Sequence, residues 1–166
     1  MLKKNKIALI LFAIAPLIIG CTGKQLIKKE NQESAFIMIK TPNMRYADMG
    51  FIYKKSDLVK VEIYASGQPL LNLNINPMNV CMSTFKCMEK KDFNAKMLSA
   101  NYPDTVLENI FRAKPIFDKE NLEKNSNGFT QKIKKNKEYD ITYSVKRDIR
   151  TFRDTINKIV IKVREQ

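Results

Sequence analysis

The run Val59-Lys60-Val61-Glu62-Ile63-Tyr64, followed after Ala65-Ser66-Gly67-Gln68-Pro69 by Leu70-Leu71-Asn72-Leu73-Asn74-Ile75, decides how the rest of the chain is read. Lys60, Glu62 and Tyr64 oppose Val59, Val61 and Ile63, and Asn72, Asn74 and Asn76 oppose Leu71, Leu73 and Ile75. A period of two belongs to strands with one buried face, because successive side chains point to opposite sides of a sheet. The residues between the two runs are turn formers. The spacing therefore predicts an antiparallel hairpin closed by a short multi-residue loop.

The same period extends outward in both directions. Phe36 and Met38 alternate with Ile37 and Ile39, and residues 49–54 read as a second strand running into Lys55-Ser56-Asp57. Further on, Phe129, Gln131 and Ile133, then Tyr139, Ile141, Tyr143 and Val145, and finally Ile159, Ile161 and Val163 repeat it. The Arg- and Asp-rich segment 146–155 fits a strand pair around an Arg-rich turn. Residues 118–127 are a polar, charged connection.

Between about residues 84 and 117 the period moves toward 3.6. Phe93, Met97 and Leu98 share one helical face, with Asp92 as the cap and Tyr102-Pro103 as the stop. A second helix from Asp104 or Thr105 places Val106, Leu107, Ile110 and Phe111 on one stripe and ends before Pro115. Helices this short are marginal alone and must dock their stripes on something apolar. The order strands, two helices, strands closes as a mainly β (α+β) domain: a curved antiparallel sheet, forming an incomplete barrel, covered by the inserted helices.

The amino-terminal residues are of another kind. Lys3, Lys4 and Lys6 precede the apolar run Ile7 to Ile19, whose thirteen residues fall short of the roughly 20 that cross a bilayer as a helix. Ile18-Ile19-Gly20-Cys21 resembles the lipobox of bacterial lipoproteins. That resemblance implies cleavage before Cys21 and attachment of acyl chains to it, several together giving stable anchoring; an ordinary signal peptide with an incidental cysteine is the plainer alternative. Thr22, where the family's inner-membrane retention signal is Asp, implies the outer membrane, with the domain on its periplasmic side or at the surface. The expected division is a signal peptide at 1–20, a polar tether at 21–34 and a single domain at 35–166.

Composition sets the chemistry. The 166 residues hold 30 Lys+Arg, 17 Asp+Glu and no His, a net charge of +13. Without histidine, Ser-His-Asp triads, Cys-His pairs and His-ligated zinc are ruled out. Thirteen minus the three lysines of the leader leaves +10 on the exported chain. In an oxidising compartment Cys81 and Cys87, six residues apart, read as a structural disulfide. The alternative is a copper site of soft sulfur ligands, since Met78, Met82 and Met88 stand within the same eleven residues. Lysines 132, 134, 135 and 137 cluster in one stretch and Lys146, Arg147, Arg150 and Arg153 in another. In an exported domain these face anionic lipid headgroups or simply water; nucleic acid is not the expected partner.

The lipobox, the hairpin formed by Met49 to Lys54 and Leu58 to Ile63, the stretch Gly67 to Leu73, and Tyr102-Pro103-Asp104-Thr105-Val106-Leu107-Glu108-Asn109-Ile110-Phe111 with Lys114-Pro115 together resemble the LolA/LolB superfamily. The resemblance, nearest the lipid-anchored outer-membrane receptors, implies an incomplete barrel whose greasy cavity receives the acyl chains of client lipoproteins. Such a role needs no catalytic residue, metal or cofactor, and the chain reads as a non-enzyme. The cavity lining it implies is Val59, Val61, Ile63, Leu71, Leu73, Ile75, Ile110 and Phe111; a dry core uses the same alternation. One departure concerns the loop between the third and fourth strands. Family receptors carry a bulky apolar residue there that helps transfer the client into the membrane, whereas Ser66-Gly67-Gln68 is small and polar, so either neighbouring Leu70 substitutes or the protein only binds. The alternative function is a non-enzymatic envelope lipoprotein acting through surface contacts with proteins or anionic lipid.

Overall fold

The computed structural model describes residues 31–82 and 86–166. Cys21, the leader and most of the tether lie outside the described residues. Eleven strands form one antiparallel sheet: β1 Asn31–Lys40, β2 Arg45–Lys54, β3 Val59–Ala65, β4 Gln68–Ile75, β5 Asn79–Met82, β6 Lys86–Glu89, β7 Leu122–Asn125, β8 Gly128–Lys135, β9 Tyr139–Lys146, β10 Ile149–Asp154 and β11 Ile159–Glu165. Two helices, α1 Lys90–Met97 and α2 Val106–Phe111, lie between β6 and β7.

The sheet order, β6-β5-β4-β3-β2-β1-β11-β10-β9-β8-β7, follows from local hairpins plus one long-range pairing. β1 to β6 make one meander and β7 to β11 another. They join where β1 pairs antiparallel with β11, Ile37 opposite Val163 and Ile39 opposite Ile161. The edges are then β6 and β7, which do not pair, so the sheet stays open. Because the helical segment connects those two edges, it must cross from one to the other.

The period-two reading sets which face is inside. Directly opposed residues share a face, so Ile37, Ile39, Ile52, Val61, Leu73, Phe152, Ile161 and Val163 line up on the inner side, each at most 1% exposed. Gly50 sits in this row between Ala35 and Ile63. A Cβ there would lie on the Glu62 carbonyl oxygen, so β2 and β3 approach closely only because the residue is glycine.

Several boundaries differ from the sequence expectation, each for an identifiable reason. The sheet begins at Asn31, inside the expected tether, because the pairing continues beyond the apolar run as far as Asn31 opposite Lys54. Residues 79–82 and 86–89 form an edge hairpin, and 86–89 therefore leave the expected helical insert. β7 lies within the expected polar connection. An edge strand facing solvent needs no apolar alternation, so its composition is that of a loop. The β3–β4 connection is tighter than a multi-residue loop: Ala65 pairs with Gln68, and Ser66 and Gly67 both take positive φ, 51° and 77°, as a two-residue hairpin turn requires. The first helix is also displaced. It starts at Lys90 after Glu89, so Asp92 lies in its first turn rather than at the cap, and it ends at Met97, well before Tyr102-Pro103. The second helix runs as expected, with Val106, Leu107, Ile110 and Phe111 all buried and its end before Pro115. No helix among the described residues is long and apolar enough to cross a membrane.

Candidate functional site

The eight residues expected to line an acyl site are brought together. Val59, Val61, Ile63, Leu71, Leu73 and Ile75 form two cross-strand files on β3 and β4, paired 59 with 75, 61 with 73 and 63 with 71. Ile110 and Phe111 belong to the same apolar cluster, contributed by α2, and none of the eight is more than 5% exposed. The cluster continues through β1, β11 and β10 to Ile133 and Ile141 on β8 and β9. The apolar face of the sheet and the apolar stripe of α2 thus form a single interior.

The cover over this interior is held by a few polar contacts at its margins. On one side Asn43, in the β1–β2 turn, donates to the Lys96 carbonyl, and Arg112 donates to the Ser56 carbonyl beside β3 at 3.3 Å. On the other, three polar residues of the inner face reach up from β8 and β10. Gln131 is fully buried, accepts from the Ile116 N–H at 2.8 Å and donates to the carbonyls of Ile116 and Glu120 at 2.9 and 2.7 Å. Arg150 donates to the Phe111 carbonyl at 2.6 Å, satisfying a helix-end acceptor. Asp154 accepts from the Tyr102 hydroxyl at 2.5 Å. Since Ser56 and Gln131 lie on opposite halves of the sheet, the cover bridges both.

Electrostatics tighten the same contacts. Burial opposes ionisation of Asp154, but hydrogen bonds from Tyr102, Asn157 and the Asp140 backbone outweigh it and hold the carboxyl below its ordinary value. Burial and the Asp154 bond together push the Tyr102 phenol far up, so it stays a donor. Glu108 on α2 resists burial in the same way, through Lys90 at 2.9 Å and Arg112 at 2.8 Å. Arg150, 2% exposed, also pairs with Glu33 at 2.6 Å and with Glu165, tying the first and last strands to the cover. Beside this group the buried Tyr143 hydroxyl has no hydrogen-bond partner.

Arg150 is thereby removed from the expected basic surface cluster: its register, opposite Val145 and Val163, points it inward. Gln131 and Asp154 were not singled out as functional by the sequence, and Arg150 only as part of a surface cluster, although a signal existed. Each interrupts an apolar period-two file, Phe129-Gln131-Ile133 and Arg150-Phe152-Asp154, where a polar residue is costly unless it is bonded.

Cys81 and Cys87 stand directly opposite on β5 and β6 and are joined as a disulfide. Both sulfurs are used in that bond, which removes them as thiolate ligands for copper. At the β3–β4 tip, Ser66, Gly67 and Gln68 are exposed. A bulge between Ile63 and Tyr64 pairs Tyr64 with Pro69 and leaves Leu70 unopposed, half of its surface in solvent. No known protein family matches the chain, and neither does any curated protein.

Proposed function

We propose that this chain is a lipid-anchored envelope protein that receives the acyl chains of other lipoproteins beneath its helical cover and assists their delivery to the outer membrane. One observation carries the reading: the apolar face of an unclosed sheet is covered by an inserted segment fastened at its rim by point contacts, Arg150 to Phe111, Asp154 to Tyr102 and Gln131 to Ile116. Separating this cover from the sheet breaks those contacts and uncovers the buried stripe Val106, Leu107, Ile110 and Phe111 together with the files on β3 and β4. Each acyl chain taken in gains ~25 cal/mol per Å² of apolar surface removed from water, which replaces the contacts that the displaced helices give up. The reading rests as well on the resemblance of the sequence to the LolA/LolB superfamily.

Anchoring through Cys21 supplies the membrane partner. Residues 22–30 separate that cysteine from β1, a span of at most roughly 30 Å when extended, so the domain works close to the bilayer. Leu70, projected by the bulge beside the polar tip, takes the place of the apolar residue that family receptors use in handing the client to the membrane.

Depletion of the protein followed by membrane fractionation tests the role. Accumulation of other lipoproteins outside the outer membrane is expected; unchanged delivery overturns it.

A further inference from the structure

Where the β1–β2 and β10–β11 turns meet, a cleft of about 600 Å³ opens between Lys40, Arg45, Arg153 and Lys158, with Val160 among its lining residues. The sheet register builds it. Lys40 lies opposite both Arg45 and Val160, and Val160 lies opposite Arg153. One cross-strand row therefore reads Arg45, Lys40, Val160, Arg153, and Lys158 enters from the adjoining turn.

Like charges directly opposed in a sheet repel. Some cations elsewhere in the sheet are paired: Lys134 meets its cross-strand neighbour Asp140 at 3.4 Å, and Lys60 meets Glu62 at 2.7 Å. Among the described residues, none of the four cleft cations has an acid within ion-pair distance. The acid in the cleft wall, Asp154, is 1% exposed, and its carboxylate is already engaged. Oδ1 accepts from the backbone of Asp140, Ile156 and Asn157, and Oδ2 from Tyr102 and the Asn157 amide. It holds the turn and the cover in place and has no capacity left for the four cations.

We propose that this cleft binds a phosphoryl group, carried either by a soluble phosphate ester or by the headgroup of an anionic phospholipid. Two guanidinium forks and two ammonium groups around one depression suit a tetrahedral, multiply charged oxyanion, the forks binding two oxygens at once and the ammoniums adding charge. The volume exceeds that of a bare ion and accommodates the group to which the phosphoryl is esterified. The site is separate from the acyl interior, and its failure leaves the carrier role standing.

The test titrates the full-length protein, in nonionic detergent, with two probes: soluble glycerol 3-phosphate and mixed micelles containing phosphatidylglycerol, with phosphatidylcholine micelles as the zwitterionic reference. Lys40→Gln/Arg153→Gln is expected to weaken binding about tenfold or more. Lys91→Gln/Lys124→Gln, which removes equal charge elsewhere, is expected to change it less than about twofold. Should the first pair fail to fold, Arg45→Gln/Lys158→Gln replaces it. Binding of both probes identifies the phosphate ester as sufficient, and binding of the micelles alone identifies the lipid headgroup. No binding of either probe, or equal loss in both double variants, overturns the site.

Discussion

Arg150 shows how much one residue can connect. Its guanidinium holds the end of α2 through the Phe111 carbonyl and neutralises Glu33 from β1 and Glu165 from β11. Removing one partner of a buried ion pair usually costs about 3–5 kcal/mol because the remaining charges are stranded. Glu33 and Glu165 keep partial access to water, at 24% and 32% side-chain exposure, which places Arg150→Ala at the low end, about 3 kcal/mol by denaturant unfolding; a loss under about 1 kcal/mol would contradict the assignment. Asp154 and Glu108 give the cover a pH dependence with a definite sign. Both carboxyls are held below their ordinary values of 3.8 and 4.5. Their contribution is fully present above those values and is lost as pH falls through the lower folded-state values. Urea midpoints should therefore be level down to about pH 4.5 and fall below it, and Tyr102→Phe should shallow that fall by removing a bond that favours ionised Asp154. An identical acid slope in the variant would show that the Tyr102 contact is not what depresses Asp154. At this scale the sequence displayed the residues but not their roles. Arg150 reads as surface charge beside Arg147 and Arg153 until register assigns it a face, and register depends on a turn only two residues long.

Elements were legible in proportion to their burial. β3 and β4 bury their apolar face fully and carry polar residues on the other, where Lys60, Tyr64, Asn72 and Asn74 are half-buried and Glu62 is held by Lys60 and Tyr64, so their alternation is complete. α2 likewise buries Val106, Leu107, Ile110 and Phe111 and nothing else. The edge strands β6 and β7, and β5 as the short partner of β6, four residues each, were not legible. An edge strand is paired on one side only, and polar residues there protect the sheet from adding further strands. α1 was placed too late in the chain because its buried residues, Lys90, Phe93 and Asn94, are mostly polar and leave only a weak apolar stripe. The disulfide takes over part of the work of burial at the β5–β6 edge. Closing a loop of six-residue separation stabilises by about 2 kcal/mol through the unfolded chain. Cys81→Ser/Cys87→Ser is expected to lose about that much, with amide exchange accelerated in β5 and β6 and unchanged in β9 and β10. Uniform acceleration across the sheet would show that the bond supports the whole fold rather than its edge.

At the scale of the molecule, the order of elements was enough to foresee a sheet with a helical cover, and one pairing then determines the topology. Joining β1 to β11 places the two meanders side by side and leaves as edges the very strands that the helical segment connects. The pairing of termini more than a hundred residues apart has no local signature, so an incomplete barrel was foreseen but not which strands would be its edges. The open sheet underlies the proposed role, because its apolar side is one that something must cover. The most direct measurement places a photoreactive benzophenone side chain at Ile110 in the full-length protein, in cells fed an alkyne-bearing palmitate. Because the protein's own anchor on Cys21 also takes up the label, the readout is the second polypeptide: after irradiation, a higher-mass adduct is predicted in which the probe is joined to the acylated amino-terminal peptide of a client lipoprotein, absent when the probe stands at exposed Lys124. An equal yield of that adduct from Lys124, or none from Ile110 in a protein that folds normally, would contradict it.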